Sequence, residues 1–378
     1  MNPLVAPGPP LTAEQASIFS RHLLLSQLGE IAQRRLLAAR VAVVGAGGLG
    51  SPALLYLAAA GVGVLGIIDD DEVEASNLHR QIIHGSADVG RSKIDSASER
   101  LRALTPNLVI STHHQRLDSG NAADILSGYD LVLDGTDNFA TRYAVSDACA
   151  SLGIPLVWGS VLGFDAQMSV FWPGGGGPTL RDLFPVPPAA GTVPSCAEAG
   201  VLGSVTGQVG SVMATEAIKL ITGVGEPLIG RVLTLNALDQ RWREVPLRPA
   251  PSASTAVRPS GSAVGESPAA SSCAAGNCDS ISVLALRELQ AQQPVVLVDV
   301  RNPDEVAAGK IPGALTIPVP LLLTEGGRAR LPRERQLVAY CQVGPRAQQA
   351  VMALADAGFA ALWLEGGYPA WESAQVTS

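Results

Sequence analysis

Val41-Ala-Val-Val44-Gly45-Ala-Gly47-Gly48-Leu-Gly50 is a short apolar run that breaks directly into closely spaced glycines. The run is strand-like, and a helical stretch follows from Ser51. Val64-Leu-Gly-Ile-Ile68 is the next apolar run and ends in Asp69-Asp70-Asp71. Strand, G-x-G-x-x-G, helix, strand and then an acid about 20 residues on is the pattern of a Rossmann-type nucleotide site. Glycines let the backbone approach phosphates, the helix N-terminus favours an anion, and the acid can hold ribose hydroxyls. The pattern predicts that Gly45, Gly47, Gly48 and Asp69 bind a nucleotide. From residues 41–71 alone, a dinucleotide such as NAD or FAD fits better than ATP.

Outward from this core the pattern repeats. Asp130-Leu-Val-Leu-Asp134 is strand-like, a helical run starts at Phe139, and Pro155-Leu-Val-Trp158 follows. Apolar runs alternating with helices imply a parallel sheet covered on both faces. Residues 247–279 are dominated by Pro, Ala, Ser and Gly. Such a segment buries too little to offset its ordering entropy, so a flexible linker is expected. It divides the chain into a domain at about 1–246 and a smaller one at about 280–378. In the latter, Val295-Val-Leu-Val-Asp-Val300, Leu337-Val-Ala-Tyr340, a helix from Arg346 to about Gly358, and Ala361-Leu-Trp-Leu364 alternate in the same way. The expected fold class is α/β twice over: a Rossmann-like parallel-sheet domain followed by a small α/β domain.

Composition narrows the function. The chain has 378 residues, and a net charge of -8 argues against a nucleic-acid binder. The most membrane-like stretch, 54–68, is shorter than the roughly 20 residues of a spanning helix. It reads as a buried helix leading into a buried strand. The opening Met1-Asn-Pro-Leu-Val has no basic start and no apolar run, so no signal peptide is expected. Five widely spaced cysteines do not form a disulfide framework, which makes a reducing cytoplasm the expected location.

Polar residues beyond the glycine loop shift the reading from dinucleotide to ATP. Ser76-Asn77-Leu78-His79-Arg80-Gln81 lies just past the strand that ends in Asp69. Gly90-Arg-Ser-Lys93 opens another helix, and Asp134-Gly-Thr136-Asp137-Asn138 follows a strand at the edge where α/β sheets bind ligands. Arg80 and Lys93 suit the neutralisation of a triphosphate, and Asp137 suits magnesium, which takes one or two carboxylates plus phosphate oxygens. Hydride transfer requires no such set, although each residue taken singly could cap a helix or face solvent.

Residues from about 18 to 246 resemble the ubiquitin-activating-enzyme-like adenylyltransferases of the MoeB/ThiF type. The resemblance rests on Phe19-Ser-Arg21, Gly45-Ala-Gly-Gly-Leu-Gly50, Ser76-Asn-Leu-His-Arg80, Lys93, Thr136-Asp-Asn138 and Pro194-Ser-Cys196-Ala-Glu. It implies attachment of AMP to the C-terminal glycine of a ubiquitin-like sulfur carrier ending in Gly-Gly. ATP and its Mg2+ would be bound by Gly48, Asp69, the segment Ser76, Asn77, Leu78, His79 and Arg80, and Lys93, Asp137 and Asn138. Arg21 would reach across a homodimer into the partner's site. Relatives often carry a zinc on two C-x-x-C pairs. Here Thr179 and Asp182 stand where the first pair would fall, the second is absent, and Cys273 and Cys278 supply too few ligands at the wrong spacing, so no zinc is expected.

Two thiols remain to be placed. Cys149 lies in an apolar helical run and reads as core. Cys196 sits in a Pro/Gly-flanked loop, where reactivity is favoured; the resemblance implies that it links covalently or by disulfide to the carrier's C-terminus. Cys341 opens Cys341-Gln-Val-Gly-Pro-Arg346 after an apolar strand. All five histidines lie at or before His114, so none in this domain serves Cys341 as a base. Its thiolate must rely on loop amides, the following helix N-terminus and Arg346. With Val298-Asp-Val-Arg301, Lys310-Ile-Pro-Gly-Ala314 and Glu365-Gly-Gly-Tyr-Pro-Ala-Trp371, residues 280–378 resemble a single rhodanese domain holding sulfur as a cysteine persulfide. The combination resembles the fused, zinc-free (MoeZ-type) adenylyltransferase–sulfurtransferases, fed by a sulfur donor such as a cysteine desulfurase. The carrier pathway (molybdopterin, thiamin, cysteine or tRNA thiolation) stays open. The alternative is an NAD-dependent oxidoreductase with an accessory rhodanese-like domain.

Overall fold

The computed structural model describes residues 2–187, 200–249 and 280–376. The chain divides into two compact units, Met1–Ser254 and Thr255–Ser378.

In the first unit, β1 (Arg40–Val44), β2 (Val64–Ile68), β3 (Val109–His113), β4 (Leu131–Asp134) and β5 (Leu156–Leu162) pair in parallel in the order β3-β2-β1-β4-β5. Side chains alternate across the sheet. Val41, Val43, Leu65 and Ile67 enter one core, and Ala42, Val44 and Ile68 enter the other. Burial on both faces is why β1, β2 and β4 read as apolar runs, whereas the edge strand β3, Val-Ile-Ser-Thr-His, is partly exposed and shows none. The expected Rossmann-like parallel sheet is present and is longer than its parallel part. Three further strands, β6 (Asp165–Phe171), β7 (Arg231–Asn236) and β8 (Arg241–Pro246), extend it antiparallel beyond β5. Every residue of β8 is exposed, so it shows no apolar run; pairing with β7, not burial, makes it a strand.

The order reverses between β1 and β4, where Val44 is in register with both Ile68 and Asp134. Diverging connections open a crevice at such a point, beyond the carboxyl ends of the strands. The helix Gly50–Ala59 starts there, and the 20-residue helix Gly203–Thr222 packs along it. Gly210 permits the approach: a Cβ there would run into the Leu49 carbonyl and Pro52. Among the described residues no helix is long and apolar enough to cross a membrane.

The second unit is a five-stranded parallel sheet ordered β11 (Leu315–Thr316), β10 (Val295–Asp299), β12 (Gln336–Tyr340), β13 (Ala361–Leu364) and β9 (Ser280–Ile281). Along β12, Leu337 and Ala339 face one core and Val338 and Tyr340 the other, and Cys341 continues on the first side. The helix Pro345–Asp356 covers that side with Ala347, Ala350, Val351 and Leu354, spaced three or four apart as an amphipathic stripe. Cys341 therefore leaves the central strand at the crevice between β10 and β12.

Candidate functional site

One cleft occupies the crevice of the first unit, lined by Gly45, Gly47, Gly48, Asp69, Arg80, Lys93, Asp137 and Asn138 together with residues the sequence did not single out. The glycine loop is shaped for it. Gly45 adopts φ +90°, and a Cβ on Gly50 would collide with the Gly45 carbonyl. Only glycine tolerates both demands at low cost.

Asp69 does more than cap β2. Its Oδ2 accepts from Ala46 N at 2.7 Å and its Oδ1 from Asp71 N at 2.9 Å, so it ties the glycine loop to the end of the neighbouring strand. Burial raises its pKa, opposed by Lys93 and by these two amides. The Lys93 side chain is 8 % exposed and Nζ donates to Asp71 Oδ2 at 2.6 Å. Ser92 caps that helix, its Oγ accepting from Asp95 N at 3.4 Å.

On the opposite wall, buried Asp134 Oδ1 accepts from Thr136 N at 2.9 Å and from Thr136 Oγ1 at 2.7 Å. Arg142 Nε and Nη2 donate to Thr136 O at 3.1 and 2.8 Å. This turn presents Asp137, which is exposed and makes no hydrogen bond or ion pair among the described residues. Asn138 has a structural duty as well: its Oδ1 accepts from Thr141 N at 2.9 Å and caps the helix Phe139–Leu152.

Of the segment 76–80 only Arg80 lines the cleft. Ser76 Oγ donates to Glu74 Oε2 at 2.8 Å, and Asn77 is buried with Oδ1 accepting from Glu74 N at 3.3 Å. These side chains shape a short 3-10 turn, Ala75–Asn77, that delivers Arg80. Arg80 Nη1 donates to Ser76 O at 2.8 Å and lies 3.0 Å from His79 Nε2. Leu78 is half-buried beside them. Arg21 is exposed on the short helix Ser20–Leu23 and does not line the cleft. Cys196 lies outside the described residues, as does most of the 247–279 segment. Thr179 and Asp182 cap the helix Leu180–Leu183, with Thr179 N and Oγ1 donating to Asp182 Oδ2 at 2.6 and 2.9 Å.

Sequence reasoning gives Gln81 no role and does not reach Gln115, Arg116 and Thr206, all on the cleft wall. Gln81 is 4 % exposed and its Oε1 has no partner among the described residues, which marks it as unusual, but nothing in the sequence separates it from a surface glutamine. The fit to a magnesium-bound nucleotide triphosphate rests on this lining: the cations Arg80 and Lys93 with Arg116 and Arg142, the carboxylate of Asp137 without a partner among the described residues, and a loop whose glycines leave no Cβ in the way.

The thiol site of the second unit is built differently. Cys341 is 1 % exposed, and its Sγ accepts from Gly344 N at 3.1 Å. Gly344 has φ +140° and Pro345 starts the following helix, so the loop turns the Gly344 amide toward the sulfur. On the far side Tyr368 N donates to Cys341 O at 2.8 Å. Gly367, at φ +61°, lies so close that a Cβ would fall on the Cys341 and Gln342 carbonyls. We expect Gly367→Ala to lower sulfur transfer roughly tenfold or more by displacing this loop, read as thiosulfate:cyanide sulfurtransferase activity of the full chain, with ATP binding unaltered.

Arg301, 2 % exposed, underlies the loop. It pairs with Asp299 at 2.7 Å, donates to Gly309 O at 2.6 Å and reaches Gln342 Oε1 at 3.3 Å. Tyr340 and Tyr368 flank its guanidinium at 5.6 and 4.3 Å. Arg346 was expected to serve the thiolate. Its terminal nitrogens form a fork onto Glu305 at 2.6 and 2.7 Å, so much of its charge is committed to that carboxylate.

Those Arg346 hydrogen bonds, ahead of all other influences, hold the Glu305 carboxyl below its ordinary 4.5. A carboxylate lowered on folding stabilises the fold above its unfolded value and loses that contribution as pH falls through the folded one. We expect the melting temperature of this unit to drop between about pH 5 and about pH 3, and less steeply in Glu305→Gln, followed by calorimetry.

The two sites define a class: a nucleotide-binding α/β protein carrying a second unit with a buried loop thiol held by a backbone amide. The chain belongs to the ThiF family, whose model matches residues 19–256, and residues 282–374 match the rhodanese-like domain. It is 48% identical over 375 residues to "Probable adenylyltransferase/sulfurtransferase MoeZ" of Mycobacterium tuberculosis, covering 98% of this chain and 96% of that protein. It is 43% identical over 338 residues to "Adenylyltransferase and sulfurtransferase MOCS3" of Bos taurus, covering 83% of this chain and 72% of that protein. The "Sulfur carrier protein adenylyltransferase" of Thermus thermophilus matches at 49% over 241 residues, 63% of this chain and 89% of that protein. The crystal structure of E. coli MccB shares the fold at a TM-score of 0.57 and 19% identity, over 65% of this chain and 74% of that one. The chain is an enzyme of the adenylyltransferase and sulfurtransferase class, and the NAD-dependent oxidoreductase alternative gains no support from these relatives.

Proposed function

We propose that the first unit adenylates the C-terminal glycine of a ubiquitin-like sulfur carrier and that the second delivers sulfur to it. The observation that carries this reading is the single cleft where the glycine loop, Arg80, Lys93 and Asp137 meet. A carrier carboxylate oxygen attacks the α-phosphorus of ATP, the bond to the β-phosphate oxygen breaks, and pyrophosphate leaves. Arg80 and Lys93 neutralise charge on the phosphates as it moves toward the leaving group. Lys93 exchanges Asp71 for phosphate oxygens. A magnesium ion held by Asp137 would supply further neutralisation of the triphosphate.

The acyl-adenylate is then a good acyl donor. The terminal sulfur of a Cys341 persulfide, loaded by a donor such as a cysteine desulfurase, attacks the acyl carbon and AMP leaves. A thiol attacks the resulting acyl disulfide at the Cys341 sulfur, releasing the carrier thiocarboxylate and forming a new disulfide that a cellular thiol reduces. Cys196 is the residue we assign to that step. The 247–279 segment would tether the second unit while it visits both donor and acceptor. A homodimer in which Arg21 serves the partner's cleft, and a cytoplasmic location, complete the reading.

The test is exchange of labelled pyrophosphate into ATP on addition of carriers ending in Gly-Gly, followed by mass spectrometry for a thiocarboxylate. Exchange dependent on the carrier supports the reading. No exchange with any such carrier, alongside measurable NAD binding, overturns it.

A further inference from the structure

His84 is buried, at 6 % exposure, and does not line the cleft. Its ring nevertheless spans two parts of the nucleotide site. Nε2 lies 3.1 Å from Ala46 O in the glycine loop, and Nδ1 lies 2.8 Å from Ser96 Oγ. A carbonyl only accepts, so Nε2 carries the proton and donates to Ala46; Ser96, which also bonds the Asp88 carboxylate, holds the Nδ1 end of the ring. Burial, the largest influence on the ring, lowers its pKa and favours the neutral form. Ser96 is three residues beyond Lys93 on the helix Lys93–Leu104.

The consequence falls on Gly47. The Ala46 carbonyl and the Gly47 N–H share one planar trans peptide, so they point in opposite directions. Drawing the carbonyl toward His84, inside the protein, turns the Gly47 N–H the other way. That N–H donates to no acceptor among the described residues, and Gly47 lines the cleft. Asp69 holds the amide of Ala46 at 2.7 Å, so Ala46 is gripped from both sides. Ser51 Oγ, at 3.4 Å, is a second and longer donor to the same carbonyl.

We propose that His84 is a positioning residue of the nucleotide site: by holding Ala46 O and Ser96 it aims the Gly47 N–H at a phosphate oxygen and sets the spacing between the glycine loop and the helix that carries Lys93. The proposal rests on the ATP reading of this cleft. It is chemically specific, because a leucine fills the same volume but leaves Ala46 O without its main donor, whereas glutamine can return an N–H to that position.

The experiment is calorimetric titration of the full-length protein with magnesium-ATP, for wild type, His84→Leu, His84→Gln and Ser96→Ala. Melting temperature without nucleotide and thiosulfate:cyanide sulfurtransferase activity serve as controls for folding. His84→Leu is expected to bind ATP roughly tenfold more weakly, the effect of one lost hydrogen bond at a well-formed site. His84→Gln is expected to recover most of that loss. Ser96→Ala keeps the ring's volume while freeing its far end, and is expected to weaken ATP about threefold; it decides the matter if the leucine variant does not fold. A purely structural role predicts lower melting temperatures with unchanged ATP affinity, and that pattern overturns the positioning role while the ATP reading stands. Equal weakening in the leucine and glutamine variants also overturns it. Wild type that binds no ATP overturns both.

Discussion

Asp137→Ala abolishes carrier-dependent pyrophosphate exchange, with a fall of at least about a hundredfold, the range seen when one preorganised charge-stabilising group is removed. The reason is local. Asp137 is the cleft carboxylate left without any partner among the described residues, while Asp69 is tied to Ala46 N and Asp71 N and Asp71 is paired with Lys93. Asp134 cannot substitute, since it is fully buried and its Oδ1 is committed to Thr136. Burial raises the Asp134 pKa, which further disfavours a carboxylate available for a cation. The substitution touches no core packing, because Asp137 is exposed. The variant is therefore expected to melt like wild type and to retain full thiosulfate:cyanide sulfurtransferase activity. Exchange at the wild-type rate would remove Asp137 from the metal site.

Cys341→Ser reduces thiocarboxylate formation to background and leaves pyrophosphate exchange intact. A hydroxyl does not form the persulfide, and the loop offers it no activating base: the described partner of Sγ is the Gly344 amide, a donor. A backbone amide only donates, so it gives no help in removing a proton from an alcohol. Serine nearly matches cysteine in volume, so the core to which Cys341 belongs need not repack. The check is mass spectrometry of the carrier together with the exchange assay. Thiocarboxylate formed by the serine variant at the wild-type rate would mean that sulfur arrives by a route that bypasses this loop. Taken as a pair, Asp137→Ala and Cys341→Ser should block different steps, and only the first should stop pyrophosphate release.

What the sequence alone determined lies where chemistry is local. The Gly45–Gly50 loop was legible because backbone approach to a phosphate demands glycines at fixed offsets after a strand. The inner parallel strands β1, β2 and β4 were legible because burial on both faces makes them apolar, while the edge strand β3, with Ser111, Thr112 and His113, was not. The loop from Cys341 to Arg346 was legible because strand, thiol, glycine and proline are consecutive. The antiparallel extension was not, since β8 is held by its ladder to β7 and carries exposed side chains throughout.

The tertiary structure alone decided who partners whom. Asn77 and Asn138 turned out to hold turns and caps, and of the 76–80 segment only Arg80 reaches the cleft. His84 meets Ala46 across 38 residues, and Arg346 meets Glu305, like Arg301 and Gln342, across 41. Nothing in a residue's type distinguishes a histidine that grips a loop carbonyl from one that faces solvent. Hydrogen-bond strength depends on distances of about 3 Å and on direction, and for residues this far apart in the chain those are set by how the elements pack.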